Sequence, residues 1–161
     1  HPGSWFTFVS DFTSDTSLDL LLRLYLLDDE GLVRPAAKVR GIEGGLAFVV
    51  DGAPWPPGCC SVVADVDAWS ELARRGSPTP ERAMLGHATH LLACIGDEVV
   101  ITEEPELKGC ESVQIRFDRL VFERSLAHAR SERDALRSRL RGRAEARGLA
   151  ADVEWFNAMV G

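Results

Sequence analysis

Apolar and polar residues alternate most cleanly from Val113 to Phe117, where Val113, Ile115 and Phe117 are separated by Gln114 and Arg116. A period of two is that of a strand with one covered face. The period then lengthens. Phe122, Leu126, Ala129, Leu136 and Leu140 recur at steps of four, three, seven and four, which is one face of a helix. Arg133 occupies the skipped position. Ala, Leu, Arg and Glu fill the stretch, all good helix formers, and Gly148 stands just beyond Arg147 as a stop. The pattern between Val113 and Arg147 therefore predicts a strand followed by a long helix. That helix is expected to dock on a sheet through Phe122, Leu126, Leu136 and Leu140.

Upstream the pattern reads mostly as strands and turns. Trp5–Val9 is aromatic and β-branched, a strand. Leu18–Leu27 suits strand or helix; the strand is preferred because Asp28–Gly31 then turns the chain into Leu32 and Val33. Leu46–Asp51 reads as a strand leading into an Asp51-Gly52 turn. Ala53–Gly58 holds three prolines and is expected to stay outside any ladder. Val62–Val66 reads as a strand, and Asp67–Arg75 as a short helix with Trp69 and Leu72 inward, ended by Gly76. Thr79, Pro80 and Glu81 have the chemistry of a helix start, with Met84, Leu85, Leu91, Leu92 and Ile95 packing that helix inward. Val99–Ile101 is a strand, Glu103–Gly109 an acidic loop, and Asp152–Val160 a closing helix with Trp155 and Phe156. Strands followed by helices imply an α+β fold: a mainly antiparallel sheet, a long C-terminal helix packed on one face, and a short helix in the middle. Residues 1–4 read as a remnant outside the fold, and 5–161 as a single domain.

Charge changes the picture in one respect. The chain carries a net charge of −7, yet the segment from Val113 to Arg147 holds ten arginines against five acids. That is a local excess of five, so the rest of the chain stands at −12. An acidic body is a poor general nucleic-acid binder, because affinity for phosphate comes from neutralising cations. The arginine helix is the exception, but its arginines surround the helix and are interleaved with acids, as on a solvated face. The scarcity of lysine (Lys38 and Lys108) beside abundant arginine is the bias of a GC-rich, bacterial coding sequence. No apolar run is long enough for a membrane span; Leu18–Leu27 is too short and contains Asp19 and Arg23. Cysteines at 59, 60, 94 and 110 show no framework spacing and read as reduced thiols of a cytoplasmic protein.

Candidate chemistry is sparse. His87, His90 and Cys94 would share one face of the expected helix, and Cys59, Cys60 or Cys110 could complete a tetrahedral zinc site. The preferred reading is a buried Cys94 with histidines at the surface or hydrogen-bonded, and no bound metal or other cofactor. Asp65 and Asp67 flank Val66 and would point to one side of the expected strand. Glu103, Glu104 and Glu106 form an acidic cluster, and Trp55 sits among prolines. There is no phosphate loop, dinucleotide fingerprint or nucleophile elbow.

The expectation is a non-enzymatic module that binds another protein, in the manner of an immunity or inhibitor protein. Trp55, Asp65, Asp67, Glu103, Glu104 and Glu106 would face a basic partner. The alternatives are a small metal-dependent enzyme built on His87, His90 and Cys94, and a nucleic-acid binder acting through the arginine helix.

Overall fold

The computed structural model describes residues 11–44, 48–50, 53–55, 62–84, 89–104, 112–149 and 152–161. At 49, 50, 53–55, 84 and 89 the description is of the backbone. The architecture is α+β: a four-stranded antiparallel sheet with helices, among them a long C-terminal one and a shorter one in the middle. The chain divides by contacts into two compact units, residues 43–130 and residues 1–42 with 131–161. They are called here the sheet unit and the helical unit.

In the sheet unit, β1 (Phe48–Val50) pairs antiparallel with β2 (Ala53–Trp55), Phe48 opposite Trp55. This corrects the expectation that Ala53–Gly58 forms no ladder. Pro54 is tolerated because a two-stranded ribbon consists of edges, where a missing N–H need cost no ladder bond. Val62 makes only an isolated bridge with Glu43, and Val63–Asp65 is a 3-10 turn, so the strand expected at 62–66 is absent. Helix α2 (Val66–Arg75) follows as expected, with Trp69 and Leu72 buried. Gly76 ends it in the left-handed conformation, at φ +65°, where its N–H still reaches the carbonyl of Leu72.

The main sheet has the order β3-β4-β5-β6, with β3 (Glu81–Met84), β4 (Thr89–Ile95), β5 (Glu98–Glu104) and β6 (Val113–Asp118). Strands β3 and β4 replace the helix expected between Thr79 and Ile95. The run from Thr89 to Ile95 is apolar on both faces because β4 is an inner strand. Leu92, Ala93 and Cys94 are all buried there. Periodicity alone cannot separate such a run from a buried helix. Ile95, expected inside, is 52% exposed.

Residues opposite one another in register share a face, so His90, Leu92 and Cys94 lie on the same side as Val99, Ile101, Ile115 and Phe117. That side carries the core, closed by Val66, Trp69, Leu72 and Ala73 of α2 and by Phe122 and Leu126 of α3 (Arg119–Ala146). The ring of Phe48 packs among Trp69, Phe117 and Phe122 at centroid distances of 5.2, 5.6 and 6.0 Å. The opposite side carries the ion pairs Arg82–Glu104 and Arg116–Glu98.

In the helical unit, Leu18–Leu27 is not a strand. Ser14 caps α1 (Asp15–Leu21), its Oγ accepting from Ser17 N at 3.1 Å. The helix then widens into a π turn over Leu22–Leu26, closed by Leu27 N donating to Leu22 O at 3.0 Å. The extra residue in this turn carries Leu26 inward, in line with Leu18 and Leu22, and all three are buried. Trp155 of α4 (Val153–Val160) donates its indole N–H to Arg34 O at 2.5 Å, and Ile42 N donates to Met159 O at 2.8 Å. Phe156, Met159 and Val160 are buried, as are Leu136, Leu140 and Ala144 of α3. Leu136 and Leu140 are core as expected, but they belong to this helical unit and not to the sheet.

Candidate functional site

The residues singled out for chemistry separate into a pair that cannot act together and a set that lies toward one end of the sheet unit. The expected zinc ligands are the first. His87 lies outside the described residues. His90 and Cys94 are on strand β4, not on a helix. They share a face but stand about 13 Å apart at the rise of a strand. Zinc requires every ligand within about 2.3 Å of one ion, so these two cannot hold the same metal. Among the described residues no group of three or more His, Cys, Asp and Glu is arranged for a metal ion.

Both side chains belong to the core. His90 is 3% exposed, so of the expected surface or hydrogen-bonded settings the surface one does not hold, and its ring meets Trp69 edge-on at 5.9 Å. Cys94 is a buried free thiol with its sulfur 4.0 Å from the carbonyl of Ala73. Burial pushes its pKa above the ordinary value, against the opposing pull of the Arg119 guanidinium. A thiol held neutral in this way is a packing group and not a nucleophile. Cys59, Cys60 and Cys110 lie outside the described residues.

The acidic candidates come together instead. Cys94 N donates to Ser77 O at 2.7 Å, just past the end of α2, while Trp69 nearer its start meets His90. Helix α2 therefore lies along β4 with its first turn toward the Thr89 end of the sheet. In register, Glu103 is opposite His90 and Glu104 opposite Thr89. Asp65, Asp67, Glu103 and Glu104 thus lie toward one end of the sheet unit, Glu103 on the helix-covered side and Glu104 on the open side. They do so by a route different from the expected one. Asp65 and Asp67 sit in a 3-10 turn and the first turn of α2, and Glu103 and Glu104 end a strand. Glu106 lies outside the described residues. Trp55 is placed by its backbone in β2, and its side chain is not described.

The four carboxylates differ in their surroundings. Asp65 Oδ2 accepts from Val62 N at 2.8 Å, and partial burial raises its pKa against that hydrogen bond. Asp67 is 3.1 Å from Arg130, both about half exposed. Glu104 is 3.6 Å from Arg82 at the surface. Exposed pairs of this kind contribute little and exchange readily for other partners.

The arginine helix spends its charge on the chain itself. Arg130 pairs with Asp67, and Arg119 with Glu123, in the sheet unit. In the helical unit Arg143 grips Asp19 in bidentate fashion at 2.7 and 2.8 Å and also reaches Asp15 at 2.8 Å. Arg147 adds a 3.3 Å contact to Asp19. Asp19 is held down to about 2, chiefly by the hydrogen bond from Arg143. No sequence signal announces this grip, because the partners are separated by 124 positions. Other features invisible in sequence are the exposed apolar side chains Leu20 and Leu24 on one side of the first helical segment, and Leu120 and Val121 opening α3.

Among the described residues no helix is long and apolar enough to cross a membrane. Compared with protein-family models, curated proteins and solved structures, the chain finds no match.

Proposed function

We propose that this chain is a non-enzymatic protein-binding module of the immunity or inhibitor kind, acting in the cytoplasm against a basic partner. The observation that supports the reading is the placement of Asp65, Asp67, Glu103 and Glu104 toward one end of the sheet unit, from elements far apart in the chain. Carboxylates so grouped attract a cationic surface over about a Debye length and speed its association. The pairs Asp67–Arg130 and Glu104–Arg82 are loose enough to be replaced by a partner's arginines or lysines. Trp55 and Glu106 enter this reading on sequence alone, Trp55 as the apolar anchor.

The test is a titration of the purified chain against the products of adjacent reading frames, by calorimetry and stopped flow at low and physiological salt. A partner is expected whose association slows as salt rises. Replacing both Glu103 and Glu104 by lysine should slow it further without altering the melting temperature. Trp55→Ala should weaken binding by more than about 2 kcal/mol, the scale of an interface hot spot. Binding indifferent to salt and to the double lysine variant would remove the acidic end as the contact surface.

A further inference from the structure

The two outer strands of the main sheet are protected to different degrees. Strand β3 has four residues, follows Pro78 and Pro80, and carries Glu81 and Arg82. Short length, proline and charge are the usual means of blunting an edge. Strand β6 has six residues, VQIRFD, with no proline or glycine. Among the described residues it pairs with β5 alone. Val113 is 50% exposed, and Ile115 and Phe117 on the same side are only partly buried. The one cation in the strand, Arg116, stands 2.9 Å from Glu98, both about half exposed.

We propose that β6 is a homodimer interface, joining antiparallel to β6 of a second copy across a two-fold axis through Ile115. The occupant follows from the strand's complementarity to itself. Antiparallel neighbours present opposed residues to the same face, so the two-fold must pass through a residue and not between two. Through Ile115 it sets Val113 against Phe117 and Ile115 against Ile115 on the helix-covered side, and Gln114 against Arg116 on the open side. No like charges meet. Through Arg116 it would set arginine against arginine, a repulsion that cross-strand pairing penalises. The two sheets would join into one of eight strands, pairing the backbone groups of β6 that no strand among the described residues meets.

Sedimentation equilibrium of the full chain tests this, with circular dichroism to verify folding of each variant. The wild type should show a reversible monomer–dimer equilibrium. Gln114→Glu places a carboxylate opposite each Arg116 and should tighten the dimer about threefold to tenfold at low salt. Gln114→Arg should loosen it by a similar factor, and combining it with Arg116→Gln should restore the affinity, because the pair is then merely exchanged. A chain that stays monomeric at the highest attainable concentration overturns the proposal, whether or not a different protein uses the edge. A dimer indifferent to Gln114→Glu also overturns it, since the contact then lies elsewhere.

Discussion

Asp19 shows how much can rest on one side chain that the sequence does not mark. Its carboxylate receives two nitrogens of Arg143 and one of Arg147, and its folded pKa of about 2 lies below the ordinary 3.8. A depressed carboxylate contributes stability that is fully present above its unfolded value and is lost as pH falls through its folded value. Thermal melts between pH 5 and pH 2 should therefore drop less steeply for Asp19→Asn than for the wild type, from a lower starting point. Parallel curves would mean that the grip contributes nothing. Gly76 is the opposite case, read correctly from sequence as a helix stop. Its φ of +65° disfavours any side chain, and a Cβ there would stand 2.9 Å from an Arg119 nitrogen. That arginine end can shift, so the backbone sets the cost, and Gly76→Ala should lower stability by about 1 kcal/mol in a urea titration. The glycine was legible because its requirement is local. The aspartate was not, because its partner is supplied by another part of the chain.

At the scale of elements, the long helix was legible and the strands around it only in part. Helix α3 begins at Arg119, three residues before the first apolar position used to predict it, because Asp118 Oδ1 caps Val121 N at 2.9 Å. Its single apolar stripe serves two cores. Phe122 and Leu126 close the sheet core, and Leu136 and Leu140, both fully buried, belong to the helical unit. Leu136→Ala should cost about 2–5 kcal/mol, the range for a leucine removed from a packed interior, measured by chemical denaturation. A cost of a few tenths would place that side chain in solvent. Two of the misread elements share one cause. Leu18–Leu27 and Thr89–Ile95 are so rich in apolar residues that neither period stands out, and each adopted the alternative to the one preferred. The capping serine at 14 was a usable signal for the first. For the second, Gly86 inside the supposed helix argued against it, since glycine weakens a helix interior.

For the whole molecule, the arginine-rich segment is the feature most open to misreading. Ten arginines in one stretch suggest a nucleic-acid surface until their partners are seen. Arg119, Arg130, Arg143 and Arg147 all meet carboxylates of the same chain, on a body of net charge −7. Phosphate would have to compete with these pairs, above all the grip of Arg143 on Asp19, and overcome the remaining acids, so fluorescence anisotropy should detect no oligonucleotide binding at about 0.15 M salt. Salt-sensitive binding under those conditions would reinstate the arginine helix as an interface. The sequence by itself determined the α+β class, the middle helix with its glycine stop, the long helix and the charge asymmetry. All of these follow from periods, caps and composition within a few turns of chain. Folding put His90 in the core and set it too far along β4 from Cys94, the thiol already expected inside, for the two to share a metal. It also brings Asp65, Asp67, Glu103 and Glu104 toward one end of the sheet unit, and gives Arg130, Arg143 and Arg147 acids distant in the chain. Those outcomes depend on strand register and on which segments pack together, and register is set by burial across the whole sheet and not by neighbours along the chain.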